Sequence, residues 1–354
     1  MKKLKTQSLV ITFFLGLSYS LSAQNVFKDW QGFSENNAPV TLTEQIYKDK
    51  TCIKLDGKNE AIIIKKDKKY ENFRIDLDIA SRVMGGIGFH VKNEQNYQFL
   101  YFRPGYGGTQ EAIQYIPIYN GGLSWVMYHY PVYEAKADIA QLEWFHATIE
   151  VRSRIMKVYV NYKKEPDLIV SLLETDTDNG SILLRSMFGE SYFANVNIHE
   201  LPETLYDWSV SEQLPRDKTY EHADMKKLKT WTKINNRRDE IVNLKRYYEY
   251  PNGTIFAKRS IVSGTDKAQL LYFDFTGKLK IILNGKEVFN YAKFKLERLE
   301  SFENCIVLDL KKGKNELVFI IEGDASFFGE GFNSMGRKQH QNWGFVAGLA
   351  EKMR

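Results

Sequence analysis

The sequence predicts an all-β protein built as two antiparallel β-sandwich (jelly-roll) domains in tandem. Three observations carry that expectation: short runs in which apolar and polar residues alternate, turn-rich pieces between them, and one charged, proline-bearing interruption near the middle. In Phe73-Arg74-Ile75-Asp76-Leu77-Asp78-Ile79 every odd position is apolar and every even one charged, and Ile87-Gly88-Phe89-His90-Val91 repeats the pattern. Such period-two runs are half-buried strands. Met84-Gly85-Gly86, Pro104-Gly105-Tyr106-Gly107-Gly108 and Asp176-Thr177-Asp178-Asn179-Gly180 are turns that separate them. No long amphipathic helical pattern is present.

Residues 1–24 read as a secretory signal. Lys2, Lys3 and Lys5 precede an apolar run from Leu9 to Leu17, and small residues follow at Ser20, Ser22 and Ala23. That run is shorter than the ~20 residues that span a bilayer, so the expectation is cleavage near Ala23, a periplasmic or extracellular destination, and no membrane span afterwards. Residues 25–200 carry the first set of strands, and residues 201–228, with Pro202 and Pro215, read as a linker with one helical turn around Ala223 to Leu228. Residues 229–354 carry the second set, beginning with a strand signal from Glu240 to Leu244. Within it, Asn284-Gly285 marks a tight hairpin, because a type I′ turn needs positive φ at both central residues.

The formal net charge of +5 includes the three signal lysines, whose removal leaves 46 basic against 44 acidic residues, a balance of +2. Nucleic acid is not an expected partner, since phosphate neutralisation needs a concentrated basic surface and the lysine runs here sit among acids. Cys52 and Cys305 fall in different expected sandwiches and read as two buried free thiols. No cysteine cluster suits zinc.

The run Gly86-Ile87-Gly88-Phe89-His90-Val91, then Asn96-Tyr97, Tyr101-Phe102-Arg103-Pro104 and Ala112-Ile113-Gln114-Tyr115-Ile116-Pro117, with Trp125 and Tyr128, resembles the concanavalin A-like lectin/glucanase superfamily. The similarity is to LamG-like domains and the related 3-keto-disaccharide hydrolase-type domains, over roughly residues 25 to 200; Glu143 to Val151 followed by Lys157 to Asn161 is similar to two late strands of these domains. Further on, Thr254-Ile255-Phe256-Ala257, Leu283-Asn284-Gly285, Leu310 to Leu317 and Trp343-Gly344-Phe345 look like a galactose-binding-like jelly roll of the kind used as a carbohydrate-binding module. Both resemblances imply a poly- or oligosaccharide partner. A fold of either kind does not by itself name a ligand.

Alternation assigns side-chain faces. Tyr97, Phe99, Tyr101 and Arg103 share one side of their strand, and Gln98, Leu100 and Phe102 share the other. Aromatic rings beside arginine suit a sugar, whose C–H faces stack on rings while its hydroxyls need donors. Tyr97, Tyr101, Arg103, Gln114, Tyr115, Trp125 and Tyr128 are therefore the candidate ligand-binding residues. An aromatic core with Arg103 at its rim accounts for the same residues. For hydrolysis, which needs two carboxyl groups flanking the bond, the candidates are Asp76 and Asp78, two apart on one strand, with His90 able to join them. Ordinary solvated charges on an open sheet face explain these as well. The Glu-x-Asp-x-x-Glu strand of the superfamily's glucanases is missing, as is Gly-x-Ser-x-Gly. No cofactor is indicated, although a structural calcium on backbone oxygens suits a jelly roll. Phe327-Phe328-Gly329-Glu330-Gly331-Phe332 with Asn342-Trp343 reads either as a stacking rim or as closure of the second core.

Three functions fit: an exported lectin-like glycan binder with an accessory carbohydrate-binding jelly roll; a glycoside or 3-keto-disaccharide hydrolase using Asp76, Asp78 or His90; and an envelope protein-interaction module. A saccharide site on these residues depends on the pleat turning Tyr101 and Arg103 outward into an open trough instead of inward under the opposing sheet.

Overall fold

The computed structural model describes residues 27–58, 61–173, 179–234, 240–249, 251–296, 298–299, 303–324 and 342–350. The signal, the Asp176 to Asp178 turn and the Phe327 to Phe332 loop lie outside them. The chain is nearly all β, and every strand pairing is antiparallel.

The first half forms two sheets. A nine-stranded sheet runs Gly122–Leu123, Ile113–Tyr119, Asn96–Phe102, Met84–Asn93, Gly180–Met187, Ile62–Tyr70, Trp30–Phe33 and Pro39–Val40, with Glu134–Ala135 also paired to Ile113–Tyr119. A seven-stranded sheet runs Leu168–Ser171, Ile155–Val160, Phe145–Arg152, Phe73–Ser81, Ser191–Glu200, Lys50–Leu55 and Glu44–Tyr47. Phe73, Ile75, Leu77 and Ile79 of the one meet Ile87, Phe89, Leu100 and Phe102 of the other in a common core. The odd residues of Phe73–Ser81 point inward and the even ones outward, as the alternation requires.

The second half repeats the layering. Glu203–Thr204, Gly344–Ala350, Lys267–Phe275 and Asn304–Leu310 form a sheet joined by Val242–Asn243. The facing sheet runs Trp231–Ile234, Trp208–Ser211, Gly253–Ser263, Gly313–Gly323, Gly277–Leu283 and Lys286–Lys295. The Asn284-Gly285 hairpin has the expected geometry, with φ of 51° and 83°.

Three expectations need correction. Residues 201–228 are not simply a linker, because Glu203–Thr204 and Trp208–Ser211 are strands of the second pair of sheets. Trp208 is fully buried, with ring centroids 4.9 Å from both Phe319 and Phe345. Prolines and charges hid these strands, while the expected helical turn is present as a 3-10 turn, His222–Lys227. The strand from Glu240 shrinks to Val242–Asn243 before another 3-10 turn, Leu244–Arg246. Cys52 is buried as expected, but Cys305 is exposed, since the pleat of Asn304–Leu310 buries Leu308 and Leu310 and sends Cys305 to the open side.

If residues near Trp208 belong to the second core, Trp208→Ala should lower unfolding free energy by about 3–5 kcal/mol in a denaturant titration. A loss below about 1 kcal/mol, the scale of a surface change, would return the segment to the role of linker.

Candidate functional site

The pleat turns the Tyr101 side away from the opposing sheet. Tyr97, Phe99 and Tyr101 join Ile116, Ile118, Leu183, Ile62 and Ile64 in a separate apolar layer on the outer face of the nine-stranded sheet. Two glycines make room for it. A Cβ on Gly86 would come within 2.8 Å of both Phe99 and Tyr101, and one on Gly88 within 2.5 Å of Leu183 and 2.8 Å of Tyr97.

The layer is not an open trough. Tyr97 and Phe99 are fully buried, and Tyr101 retains 1% of its surface. Tyr101 donates to Gln114 Oε1, and Gln114 Nε2 donates to the backbone oxygens of Trp125, at 2.9 Å, and of Tyr128. Gln114 is thus occupied in pinning the 3-10 turn Trp125–Met127 over the sheet. Arg103 is also committed: it donates through Nη2 to Glu134 at 2.9 Å and through Nε to the Glu111 backbone oxygen at 2.8 Å. The other Glu134 oxygen accepts from the Tyr130 backbone N–H, so the pair ties down the same loop.

Tyr115 goes to the other side. It lies in the core between the sheets, where its hydroxyl donates to Gln98 and accepts from the Leu173 N–H at 2.8 Å. Burial pushes this hydroxyl and that of Tyr101 well up from the ordinary tyrosine range. Tyr115 and Gln114 are adjacent in sequence and therefore face opposite ways. Among the candidates, only Trp125, 51% exposed, and the half-exposed Tyr128 reach the surface.

Arg185 went unnoticed in the sequence. It projects from Gly180–Met187 on the same outer face, across from Gly86 and Ile62. Its Nη1 donates to the Tyr97 hydroxyl at 2.5 Å, and its guanidinium carbon lies 5.9 Å from the Phe99 ring centre. The signal was one cation inside the otherwise uncharged run Ile182-Leu183-Leu184-Arg185-Ser186-Met187.

Asp76 and Asp78 stand on the outer face of the seven-stranded sheet, on the far side of the molecule's first core. His90 does not join them. It sits in the other sheet, at an irregularity with φ of 49°, and its Nε2 meets the Glu71 backbone oxygen at 2.9 Å. That positive φ breaks the alternation and lays its ring edge-on to Phe73 and Phe89. The histidine that does approach the carboxylates is His146, with Nδ1 2.8 Å from Asp78 Oδ1 and its ring stacked on Tyr162. Asp78 also accepts from Lys50 and Asn195, each at 2.6 Å, while Asp76 takes Arg74 at 2.8 and 3.0 Å and the Thr148 hydroxyl at 2.6 Å. Burial pushes both carboxyls up, but these hydrogen bonds outweigh it and hold both below the ordinary 3.8. They are acceptors at neutral pH, not proton donors.

In the second half, Trp343 is buried against Tyr248, ring centroids 5.4 Å apart, and closes the core.

Residues 22–199, half of the chain, match the family described as the 3-keto-alpha-glucoside-1,2-lyase-like domain. The chain belongs to that family.

The 3-keto-alpha-glucoside-1,2-lyase-like match takes in both sheets of the first sandwich and the candidate residues placed on them, from Asp76 to Arg185. Among curated proteins none matches the chain. Among solved structures, it is similar to carbohydrate-binding module CBM66 of Bacillus subtilis, at 16% identity and TM-score 0.37 over 49% of this chain and 96% of that one. Domain 4 of the extracellular arabinanase AbnA from Geobacillus stearothermophilus, in complex with arabinotriose, matches at 12% identity and TM-score 0.31, over 47% and 80%. A Bacillus subtilis protein with a galectin-like fold matches at 10% identity and TM-score 0.33, over 49% and 90%.

The lowered carboxyls give a signed expectation. Their contribution to stability is complete above 3.8, the unfolded value, and is lost as pH falls from there through the lower folded value. Asp78→Asn should cost about 1–3 kcal/mol at neutral pH, by denaturant titration, and the gap to the parent should narrow below pH 3.8. A gap that widens on acidification would contradict the assignment.

Proposed function

We propose that the chain is an exported glycan-binding protein, its first sandwich a lectin-like binder of the concanavalin A-like kind and its second an accessory carbohydrate-binding jelly roll. One observation carries the reading. The outer face of the nine-stranded sheet holds an aromatic layer crossed by a guanidinium, and beside it Trp125 stands exposed on a turn that Gln114 pins from below. A turn whose backbone is fixed before ligand arrives loses little backbone freedom when its exposed ring stacks against a sugar. Membership of a sugar-related family supports the same ligand class.

In this reading residues 1–24 are a cleaved signal, the destination is periplasmic or extracellular, and the partner is a poly- or oligosaccharide. Modest sites on both sandwiches would gain avidity along a polymer. The family's description favours a second reading, an enzyme acting on a 3-keto-glucoside or related glycoside. The carboxyl chemistry weighs against Asp76 or Asp78 as its acid, because a general acid needs a raised pKa and both are lowered.

The test is a panel of poly- and oligosaccharides read for both binding and released product. Binding without product is expected, and Trp125→Ala should weaken it about tenfold, a loss of about 1.4 kcal/mol, with the melting temperature unchanged. Turnover abolished by Asp76→Asn would instead establish the enzyme, and capture of a protein partner with no response to any sugar would establish an interaction module.

A further inference from the structure

Five of the six arginines of the first sandwich divide by their partners. Arg74 pairs with Asp76, Arg82 with Glu190, Arg103 with Glu134 and Arg152 with Glu240, at 2.7 to 2.9 Å. Arg185 has no carboxylate partner among the described residues. Its one hydrogen bond goes to the neutral Tyr97 hydroxyl, and its Nε is out of contact with solvent and bonds to nothing. Its cross-strand neighbours, Ile62 and Gly86, are uncharged, and the apolar layer beside it is edged by the half-exposed Phe33, Val83, Leu123, Tyr128 and Met187.

A guanidinium drawn partly out of water without a counter-ion has given up hydration for little return. An incoming anion would recover that loss, and a carboxylate does so best because its two oxygens match the planar fork. Tyr97 acts as the positioning residue, holding the group beside the Phe99 ring so that its half-exposed remainder faces outward. Aromatic and aliphatic neighbours meanwhile suit the C–H faces of a sugar ring.

We infer that the outer face of the nine-stranded sheet takes an acidic saccharide, with Arg185 binding the carboxylate of a uronic acid residue. The inference rests on the glycan-binding reading and adds the substrate class. A bare anion, or a sulfate ester on a neutral sugar, offers related chemistry and is separated by the test.

The experiment compares the full mature chain, by calorimetry, against oligouronides, the same oligomers after reduction of their carboxyls to alcohols, sulfated neutral oligosaccharides, and acetate alone. The oligouronides should bind at least tenfold more tightly than their reduced forms, with affinity falling as salt is raised. Arg185→Gln should abolish that preference, and Arg185→Lys, which keeps the charge but loses the fork, should retain part of it. The comparison of ligands on the parent protein needs no variant, so a folding defect in either substitution leaves the question decidable. Equal binding of the reduced oligomers would overturn the acidic class while leaving the glycan site standing. Preference for the sulfated sugars, or acetate binding as tightly as the oligouronides, would overturn it too. Binding of no saccharide at all would remove the underlying reading.

Discussion

Gly86 and Gly88, on the fourth strand of the nine-stranded sheet, leave the space into which Phe99, Tyr101, Tyr97 and Leu183 lean. A β-carbon at either position would collide with those side chains, and at Gly86 also with the Leu100 backbone oxygen at 2.4 Å. Without that space the sheet could not carry a second apolar layer on the face turned away from its partner sheet. The layer in turn gives Gln114 and Tyr128 something to pack on, and it sets the height at which Trp125 and Arg185 meet solvent.

Electrostatics then sorts the two arginines of this face. Arg103 meets two acids of the segment that follows it, Glu111 close in sequence and Glu134 further on, and the loop closes by pairing with it. Such a buried pair holds a loop in one conformation and leaves no charge to offer. Arg185 lies on a strand whose neighbours on that face are Ile62 and Gly86, neither of which can neutralise it. Identical side chains on one face thus have opposite prospects, and the difference lies in their surroundings.

The two halves meet where polar groups of the first reach the second. Arg152 donates to Glu240 at 2.8 Å, the Ser153 hydroxyl lies 3.2 Å from that of Tyr206, and Asn72 donates to the Pro202 oxygen at 3.3 Å. The segment after Pro202 therefore passes directly from one set of contacts into the strands of the next sheet. Its prolines and charges obscure the strand pattern because each strand there is short, two residues at Glu203–Thr204 and four at Trp208–Ser211. Four residues hold too few alternations to stand out.

Strand identity and inward faces were legible in residues such as Phe73 to Ile79, and the Asn284-Gly285 hairpin in its two residues, because backbone sterics and a period of two act locally. The rings of Tyr97 and Tyr101 could be placed on one side of a strand by the same rule, and so could the carboxylates of Asp76 and Asp78. Which of these groups remained available was beyond any local rule. A loop closing over Tyr101, a glutamate twenty or more residues away claiming Arg103, and a positive φ turning His90 inward are long-range or irregular events. Exposure and charge compensation are properties of everything packed around a side chain, so only the tertiary structure could show that Arg103 is paired with Glu134 while Arg185 bonds to the Tyr97 hydroxyl.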